Sequence, residues 1–161
     1  MIHQDSIFLA DKPLDKTSFD IVALFKREFQ LKKIGHSGTL DPKATGLLIL
    51  CSGKKTKLIN EFIDYDKEYN GIIRIGATTP TFDTESEEEN LTETESVTDE
   101  MIEKIKEKFT GDIEQIPPMH SAVKHKGKPL YKMARKGETI ERKPRQITIS
   151  ELYLKRISDT E

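Results

Sequence analysis

The stretch that decides the fold is Gly35-His36-Ser37-Gly38-Thr39-Leu40-Asp41-Pro42-Lys43-Ala44-Thr45-Gly46-Leu47-Leu48. It lies between two apolar segments, residues 19–31 and 46–51, and it places three glycines, one proline and one acid in fourteen positions. Glycine admits positive φ and close approach of the backbone, while proline fixes φ and removes a donor. This composition predicts a loop of specified shape, and Asp41 is the one carboxylate that such a loop can hold.

Local chemistry alone offers a structural role for Asp41. Asp followed by Pro is typical of a helix start, with Asp41 as the N-cap and Pro42 as the first helical residue. Residues 43–45 would then form a single turn that Gly46 ends. A capping geometry also fixes a side chain in place.

The whole stretch resembles the signature of the TruB family of pseudouridine synthases, which place a G-H-[TS]-G-x-L-D-P-x-A-T-G-x-L run around their catalytic aspartate. The specified positions are all matched, by Gly35, His36, Ser37, Gly38, Leu40, Asp41, Pro42, Ala44, Thr45, Gly46 and Leu48. The resemblance implies that Asp41 is the catalytic acid. It also implies an α+β fold with a mixed, largely antiparallel sheet flanked by helices.

Further segments extend the resemblance along the chain. The family's K-x-Y motif, placed beside the uridine, is matched at Lys67 and Tyr69, and its T-x-T-x-D motif ends at Asp83. Residues 111–124 resemble the G-x-x-x-Q-x-P-P-x-[FY]-S-A-x-K run, and the G-x-x-L-Y-x-x-A-R-x-G pattern that follows includes Arg135. The resemblance implies substrate contacts from His36, Tyr69, Lys67, Gly38, Asp83 and Arg135.

In the reaction that the resemblance implies, the target uridine must leave the stack of RNA bases to reach Asp41, and this suggests roles for two of these residues. We expect His36 to fill the vacated space and Tyr69 to stack on the extruded uracil. Ordinary structural roles stay open for both, because a histidine beside glycine commonly forms loop hydrogen bonds and a strand tyrosine is commonly half-buried. Lys12 is open in the same way, as a phosphate contact or as a plain turn residue.

The chain departs from the family pattern at three places. His120 stands where an aromatic ring is usual, although an imidazole can still stack, and Ser86 stands where glycine usually follows Asp83. The family's later K-G-[TS]-Y-[IV]-R segment, and the small RNA-binding domain that usually follows it, are absent from these residues. We therefore expect residues 1–161 to be a partial catalytic domain, with weak or no activity alone.

Hydrophobic periodicity predicts the elements. Apolar runs and alternation predict strands over residues 7–10, 47–50, 66–76 and 146–154, and 3.6-residue periodicity predicts helices over residues 18–29, 54–63, 99–109 and 130–136.

Charge is uneven along a chain whose formal net charge is −2. Residues 83–100 hold nine of the 28 acids and no Lys or Arg, and they predict an acidic loop at about 84–98 before the third helix. The rest of the chain contains 19 acidic and 26 basic residues, and nine of these basic residues lie within residues 120–145. A local basic surface can bind phosphates on a mildly acidic protein, and a plain solvated surface is the alternative.

The single Cys51 lies in an apolar run, which predicts a buried structural thiol. No Cys/His spacing resembles a zinc site, so we predict no metal. The sequence contains no apolar run long enough for a bilayer and no signal-peptide pattern, and we expect a cytoplasmic protein.

The resemblance implies isomerisation of uridine to pseudouridine at position 55, in the T-arm of tRNA, without a cofactor and by a monomer. Sequence leaves open whether Asp41 is a nucleophile or stabilises the sugar carbon. Two alternatives remain: a non-catalytic module that binds or folds tRNA, and an enzyme of free nucleosides or sugar phosphates.

Overall fold

Three short strands organise the first half of the chain: β1 (Ile7–Lys12), β2 (Ile34–His36) and β3 (Gly46–Ser52). The structure, a computed structural model, describes residues 4–161. β3 is central and pairs antiparallel with both neighbours. Because Lys12 at the end of β1 pairs with Gly46 at the start of β3, the turn after β1 and the loop before β3 leave the sheet at the same end.

Helix α1 (Ser18–Glu28) confirms the helix predicted over residues 18–29. Its N-terminus carries a capping box, in which the Thr17 side chain accepts from the Asp20 N–H and the Asp20 carboxylate accepts from the Thr17 N–H at 2.8 Å. This reciprocal pair satisfies N–H groups that the first turn leaves without intrahelical partners. α1 therefore starts at a fixed residue.

The core of this half lies between α1 and the sheet. Its buried members are Ala10, Ile21, Val22, Leu48 and Leu50, with Phe8, Phe25, Ile34 and Leu40 packed against them. Phe8, Phe25 and Phe29 form a cluster with ring centroids 5.3–5.5 Å apart. Leu40 belongs to the loop quoted above, so that loop is anchored to the core one residue before Asp41.

Lys12 is fully buried at the end of β1. Strand alternation places it on the same inward face as Phe8 and Ala10. Its Nζ donates to the carbonyl oxygens of Lys16 at 2.6 Å, Pro13 at 3.0 Å and Pro42 at 3.4 Å. Three acceptors match the three protons of an ammonium group, so Lys12 is neither a phosphate contact nor a plain exposed turn residue.

The predicted helix over residues 54–63 forms in two parts. Residues Gly53–Leu58 form a 3₁₀ helix, and α2 (Ile59–Ile63) continues it. The Thr56 hydroxyl donates to the Gly53 carbonyl at 2.8 Å, three residues back, which suits the tighter turn. The first compact unit of the chain ends at Tyr69.

The second compact unit, residues 70–161, contains two small antiparallel sheets and two helices. Its elements are α3 (Asp99–Lys108), β4 (Gly111–Gln115), β5 (Lys124–His125), β6 (Lys128–Pro129), α4 (Leu130–Ala134) and β7 (Arg145–Ile149). β4 pairs with β7, and β5 pairs with β6. The predicted α+β class with antiparallel pairing is confirmed, although the described strands form three separate sheets.

Two strand predictions need correction. Residues 66–76 are not a strand: within the described chain the only backbone hydrogen bond that residues 70–75 form to a distant residue is the one from the Ile75 N–H to the Thr160 carbonyl, at 2.9 Å. A strand needs a ladder partner, and no described strand pairs with this segment. The strand predicted over 146–154 is the shorter β7, because its partner ends where Gly111 pairs with Ile149.

The acidic segment has defined contacts. Thr78 and Glu89 exchange backbone hydrogen bonds of 2.8 and 2.7 Å, and Arg74 pairs with Glu88 at 2.6 Å. Thr94 is buried. The segment therefore forms a loop closed at its base, ahead of α3, which is N-capped by Thr98.

An apolar cavity of about 460 Å³ lies in the second unit. The apolar face of α3 lines it through Met101, Ile102 and Ile105. Residues 71–73, 75 and 153–157 line it elsewhere. None of the helices formed by residues 4–161 has the length and apolar character needed to cross a membrane.

The burial of Lys12 predicts a role in stability. Lys12→Met keeps the length of the side chain but leaves three carbonyl oxygens without their cationic donor. We expect the free energy of unfolding to fall by about 1.5–3 kcal/mol, the range typical of hydrogen bonds to charged groups. Urea unfolding followed by circular dichroism measures it. The exposed neighbour Lys16 is the control, since Lys16→Met should change stability by less than about 0.5 kcal/mol; equal losses in the two variants would contradict this account.

The capping box predicts a pH dependence. Hydrogen bonds from the Thr17 hydroxyl and then from its N–H hold the pKa of Asp20 below the ordinary 3.8. A depressed folded pKa means that the contribution of Asp20 to stability is present above pH 3.8 and is lost as the pH falls through the folded value. Urea unfolding of wild type and Asp20→Ala should give a difference that is constant near neutral pH and shrinks in acid. A difference that does not change with pH would refute the assignment.

Candidate active site

The loop that carries Asp41 connects β2, which ends at His36, to β3, which begins at Gly46. The Ser37 N–H donates to the Ile49 carbonyl at 3.0 Å, which extends the pairing by one residue. Gly46 starts β3 with φ +113°, a conformation that L side chains rarely adopt. At Gly35 an added Cβ would lie 2.9 Å from Ile59 Cδ1, so the Ile59 side chain would have to shift to admit it.

Asp41 begins a turn and does not cap a helix. The Ala44 N–H donates to the Asp41 carbonyl at 3.0 Å, and Pro42 occupies the second position of this turn, where its fixed φ is favoured. The capping interpretation is therefore wrong for Asp41. Gly46 leads directly into β3, so no helix can develop after the turn.

Ser18 fixes the backbone immediately before Asp41. Its hydroxyl accepts from the Leu40 N–H at 2.9 Å and donates to the Leu40 carbonyl at 3.2 Å. Ser18 is 2% exposed, so solvent does not compete with these bonds. One side chain thus satisfies both backbone groups of Leu40.

A second set of contacts fixes the backbone after Asp41. The Pro42 carbonyl accepts from the Asp15 N–H at 2.9 Å and from Lys12 Nζ at 3.4 Å. The Asp15 carboxylate also pairs with Lys43 Nζ at 2.7 Å. Both members of that pair are partly exposed, so it contributes about 0–1 kcal/mol and mainly sets orientation.

The Asp41 side chain itself is exposed. Within residues 4–161 no hydrogen bond or ion pair reaches its carboxylate, in contrast to Asp15 and Asp20 nearby. The loop therefore presents an unoccupied carboxylate on a backbone that is tied down on both sides.

His36 and Gly38 contact each other on this loop. His36 is half-buried, and its Nδ1 lies 2.5 Å from the Gly38 carbonyl oxygen. A carbonyl only accepts, so Nδ1 carries the proton and Nε2 is the acceptor of the neutral ring. The structure thus realises the loop hydrogen bond that was one of the two roles open for His36. Gly38 is exposed, with open space where a Cβ would stand.

Lys67 and Tyr69 lie at the end of the first unit. Lys67 Nζ donates to the Ile63 and Tyr65 carbonyls at 2.6 and 2.7 Å. Tyr69 is 73% exposed and lies outside any strand, so the half-buried strand position considered for it is wrong. No hydrogen bond or ion pair described for residues 4–161 joins either residue to Asp41.

Asp83 and Arg135 belong to the second unit. Asp83 is half-buried, and its Oδ1 accepts from the Glu85 N–H at 2.9 Å. Arg135 is exposed at the end of α4, with its guanidinium 5.5 Å from the Tyr131 ring centroid. Cation–π contacts of this kind orient the side chain without consuming its hydrogen-bond donors.

Cys51 is fully buried, which confirms the predicted structural thiol. Burial raises the pKa of this thiol, against a smaller opposite effect of Lys55. In the part of the chain that the structure describes, no three His, Cys, Asp or Glu side chains are grouped as metal ligands.

Sequence reasoning missed the residues that hold the Asp41 loop. These residues, Ser18, Asp15 and Lys12, precede α1 or start it, and each lies more than twenty positions before the residue that it contacts in the loop. The alternation Phe8, Ala10, Lys12 could have placed Lys12 inward. Nothing in the sequence pairs Ser18 with Leu40.

Comparison with known protein families identifies the class of protein to which this chain belongs. A family model described as TruB family pseudouridylate synthase (N terminal domain) matches residues 26–161. The matched part includes the Asp41 loop and most of both units. The chain belongs to this TruB family, and the family resemblance inferred from residues 35–48 is confirmed.

Curated relatives agree with the family. The chain is 51% identical over 151 residues to the tRNA pseudouridine synthase B of Chlorobaculum tepidum, covering 91% of this chain and 63% of that one. It is 47% identical over 154 residues to that of Parabacteroides distasonis, covering 92% and 66%. The chain thus spans just under two thirds of the length of these relatives.

One solved structure shares the fold. The chain is similar to the crystal structure of a Cbf5-Nop10-Gar1 complex, with a TM-score of 0.54 and 25% identity. The similarity covers 90% of this chain and 33% of that one.

The contact between His36 and Gly38 predicts a tautomer. We expect long-range ¹H–¹⁵N NMR spectra at a pH where the ring is neutral to show the proton of His36 on Nδ1. The exposed His125 serves as the reference ring in the same spectrum, since no Nδ1 hydrogen bond is described for it. A proton on Nε2 of His36 would contradict the loop geometry.

Proposed function

We propose that the full-length protein containing this chain isomerises uridine to pseudouridine in tRNA, at position 55 of the T-arm, with Asp41 as its catalytic aspartate. By full-length we mean this chain with any residues that its gene encodes on either side. Membership of the TruB family supports the reaction class. Relatives named tRNA pseudouridine synthase B support tRNA as the substrate.

One observation carries the assignment of Asp41. Its carboxylate is exposed and has no hydrogen-bond or ion-pair partner among the described residues, while the backbone on both sides is bonded to buried groups. A carboxylate that only stabilised the fold would be engaged, as Asp15 and Asp20 are. A reactive group needs the opposite combination of a fixed position and an unoccupied oxygen.

The reaction suits a single carboxylate. The N1–C1′ bond breaks, the uracil turns, and C5 joins C1′; C5 loses a proton and N1 gains one, so no atoms are added or lost. A carboxylate beside C1′ can attack it as a nucleophile, or its charge can stabilise the electron-poor sugar carbon while the base turns. Both routes start from Asp41 at the same place, and both balance without a cofactor or metal.

Exposed groups of the first unit suit the binding of an extruded nucleotide. Leaving the stack costs a few kcal/mol. Stacking on the exposed ring of Tyr69 would return about 1–3 kcal/mol. The open space at Gly38 suits close approach of the RNA, and we assign the face of His36 to the position that the base vacates.

The remaining contacts are to the sugar–phosphate backbone. Lys67 uses two of its three protons on carbonyl oxygens, which leaves one for a phosphate. Arg135 is exposed in a segment rich in basic residues, which suits attraction of RNA. We assign Asp83 to a ribose hydroxyl of the RNA, from which Oδ2 can accept a hydrogen bond, since Oδ1 already accepts from the Glu85 N–H. A monomer acting in the cytoplasm completes the proposal.

Replacement of one oxygen tests the role of Asp41. In the full-length protein, Asp41→Asn should lower isomerisation of a T-arm RNA at least about a thousandfold, because the amide is neither a nucleophile nor a charge. RNA affinity should stay within twofold. A tritium-release or mass-labelling assay measures the first quantity and filter binding the second.

Asp64→Asn is the matched control, since Asp64 is an exposed carboxylate at the C-terminus of α2 in the same unit. It should leave both quantities unchanged. Full isomerisation by Asp41→Asn would remove Asp41 from its role. A wild-type protein that binds the RNA without isomerising it would favour the non-catalytic alternative.

A further inference from the structure

We propose that Ser18 is a positioning residue for Asp41, and this rests on the proposed function. The Ser18 hydroxyl bonds both backbone groups of Leu40, at 2.9 and 3.2 Å, across 22 positions of sequence. Neither bond belongs to a strand ladder or a helix. They join the first residue of α1 to the residue before the carboxylate.

Peptide geometry transmits this contact to Asp41. The peptide bond is planar, so the Leu40 carbonyl shares one plane with the nitrogen and Cα of Asp41. Fixing that carbonyl fixes where the Asp41 side chain starts. On the other side, the Asp41 carbonyl is bonded to the Ala44 N–H at 3.0 Å. Both peptide planes that meet at the Asp41 Cα are therefore held, and only the side-chain torsions remain to be set.

Ser18 is itself fixed by what surrounds it. It is 2% exposed and is the first residue of α1, whose start is set by the capping box of Thr17 and Asp20. The Leu40 side chain packs against the hydrophobic core between α1 and the sheet. Loss of the hydroxyl would release the Leu40 peptide while leaving this packing in place.

The same arrangement occurs a second time, away from Asp41. The Ser52 hydroxyl accepts from the Ser6 N–H at 2.9 Å and donates to the Ser6 carbonyl at 3.3 Å, and Ser52 is fully buried. Ser18→Ala and Ser52→Ala therefore each remove a buried hydroxyl that bonds both backbone groups of a residue distant in sequence. The Ser6 carbonyl keeps a second donor, the Ser52 N–H at 2.8 Å, and Ser6 does not adjoin the carboxylate.

The experiment compares these two variants in the full-length protein. Both should lower the melting temperature, Ser52→Ala by no more than Ser18→Ala. At a temperature below both melting points and at saturating T-arm RNA, Ser18→Ala should lower kcat about ten- to a hundredfold, since a misplacement of about 1 Å costs up to about a hundredfold. KM should stay within twofold. Ser52→Ala should keep kcat within twofold of wild type.

Two results would overturn the proposal: a kcat within twofold of wild type in Ser18→Ala, or an equal loss of kcat in Ser52→Ala. If Ser18→Ala does not fold, Ser18→Cys replaces it, because a thiol of similar size is a weak donor and acceptor; a kcat within twofold of wild type in that folded variant would overturn the proposal equally. Asp41→Asn in the same assay separates the hypotheses. A wild-type protein that does not isomerise the RNA rejects the proposed reaction, and activity that survives in Asp41→Asn rejects the catalytic role of Asp41. Activity lost in Asp41→Asn and retained in Ser18→Ala rejects the role of Ser18 alone.

Discussion

Hydrogen bonds between residues 12–18 and the backbone on either side of Asp41 are the constraint on which this structure depends. They form because β1 and β3 pair with Lys12 opposite Gly46, which brings the turn before α1 beside the loop before β3. Ser18 holds Leu40, and Lys12 with Asp15 holds Pro42. The groups that hold the loop are largely buried, whereas the group that it presents is exposed. Such a division suits a site in which a reacting group must be fixed before its substrate arrives.

Elements with a strong local signal could be predicted from the sequence. α1 and α3 combine an apolar face with a Thr N-cap, and β3 is a continuous apolar run between two glycines. The signature around Asp41 identified the family by its resemblance to the known motif, and its glycines and proline also specify a backbone shape. Gly46 illustrates this, since its φ of +113° excludes most other residues.

Other features depend on partners that are distant in sequence. Residues 66–76 have the composition of a strand, yet strands form only where a neighbour supplies the ladder, and none of the described strands does so. Neither role left open for Lys12, a phosphate contact or a plain turn residue, included its burial, which three carbonyl oxygens from the chain itself make tolerable. The capping interpretation of Asp41 failed because β3 begins too soon after Pro42 for a helix. The link between Ser18 and Leu40 has no local signal at all.

The central claim is geometric: a fixed turn presents an unoccupied carboxylate to the ribose of an extruded uridine. The most direct measurement is a crystal structure of the full-length protein with a T-arm RNA bound in the absence of turnover. The account predicts the target uridine out of its stack, with a carboxylate oxygen of Asp41 about 3–3.5 Å from C1′. An RNA bound with that uridine still stacked, or with Asp41 directed away from the sugar, would contradict it.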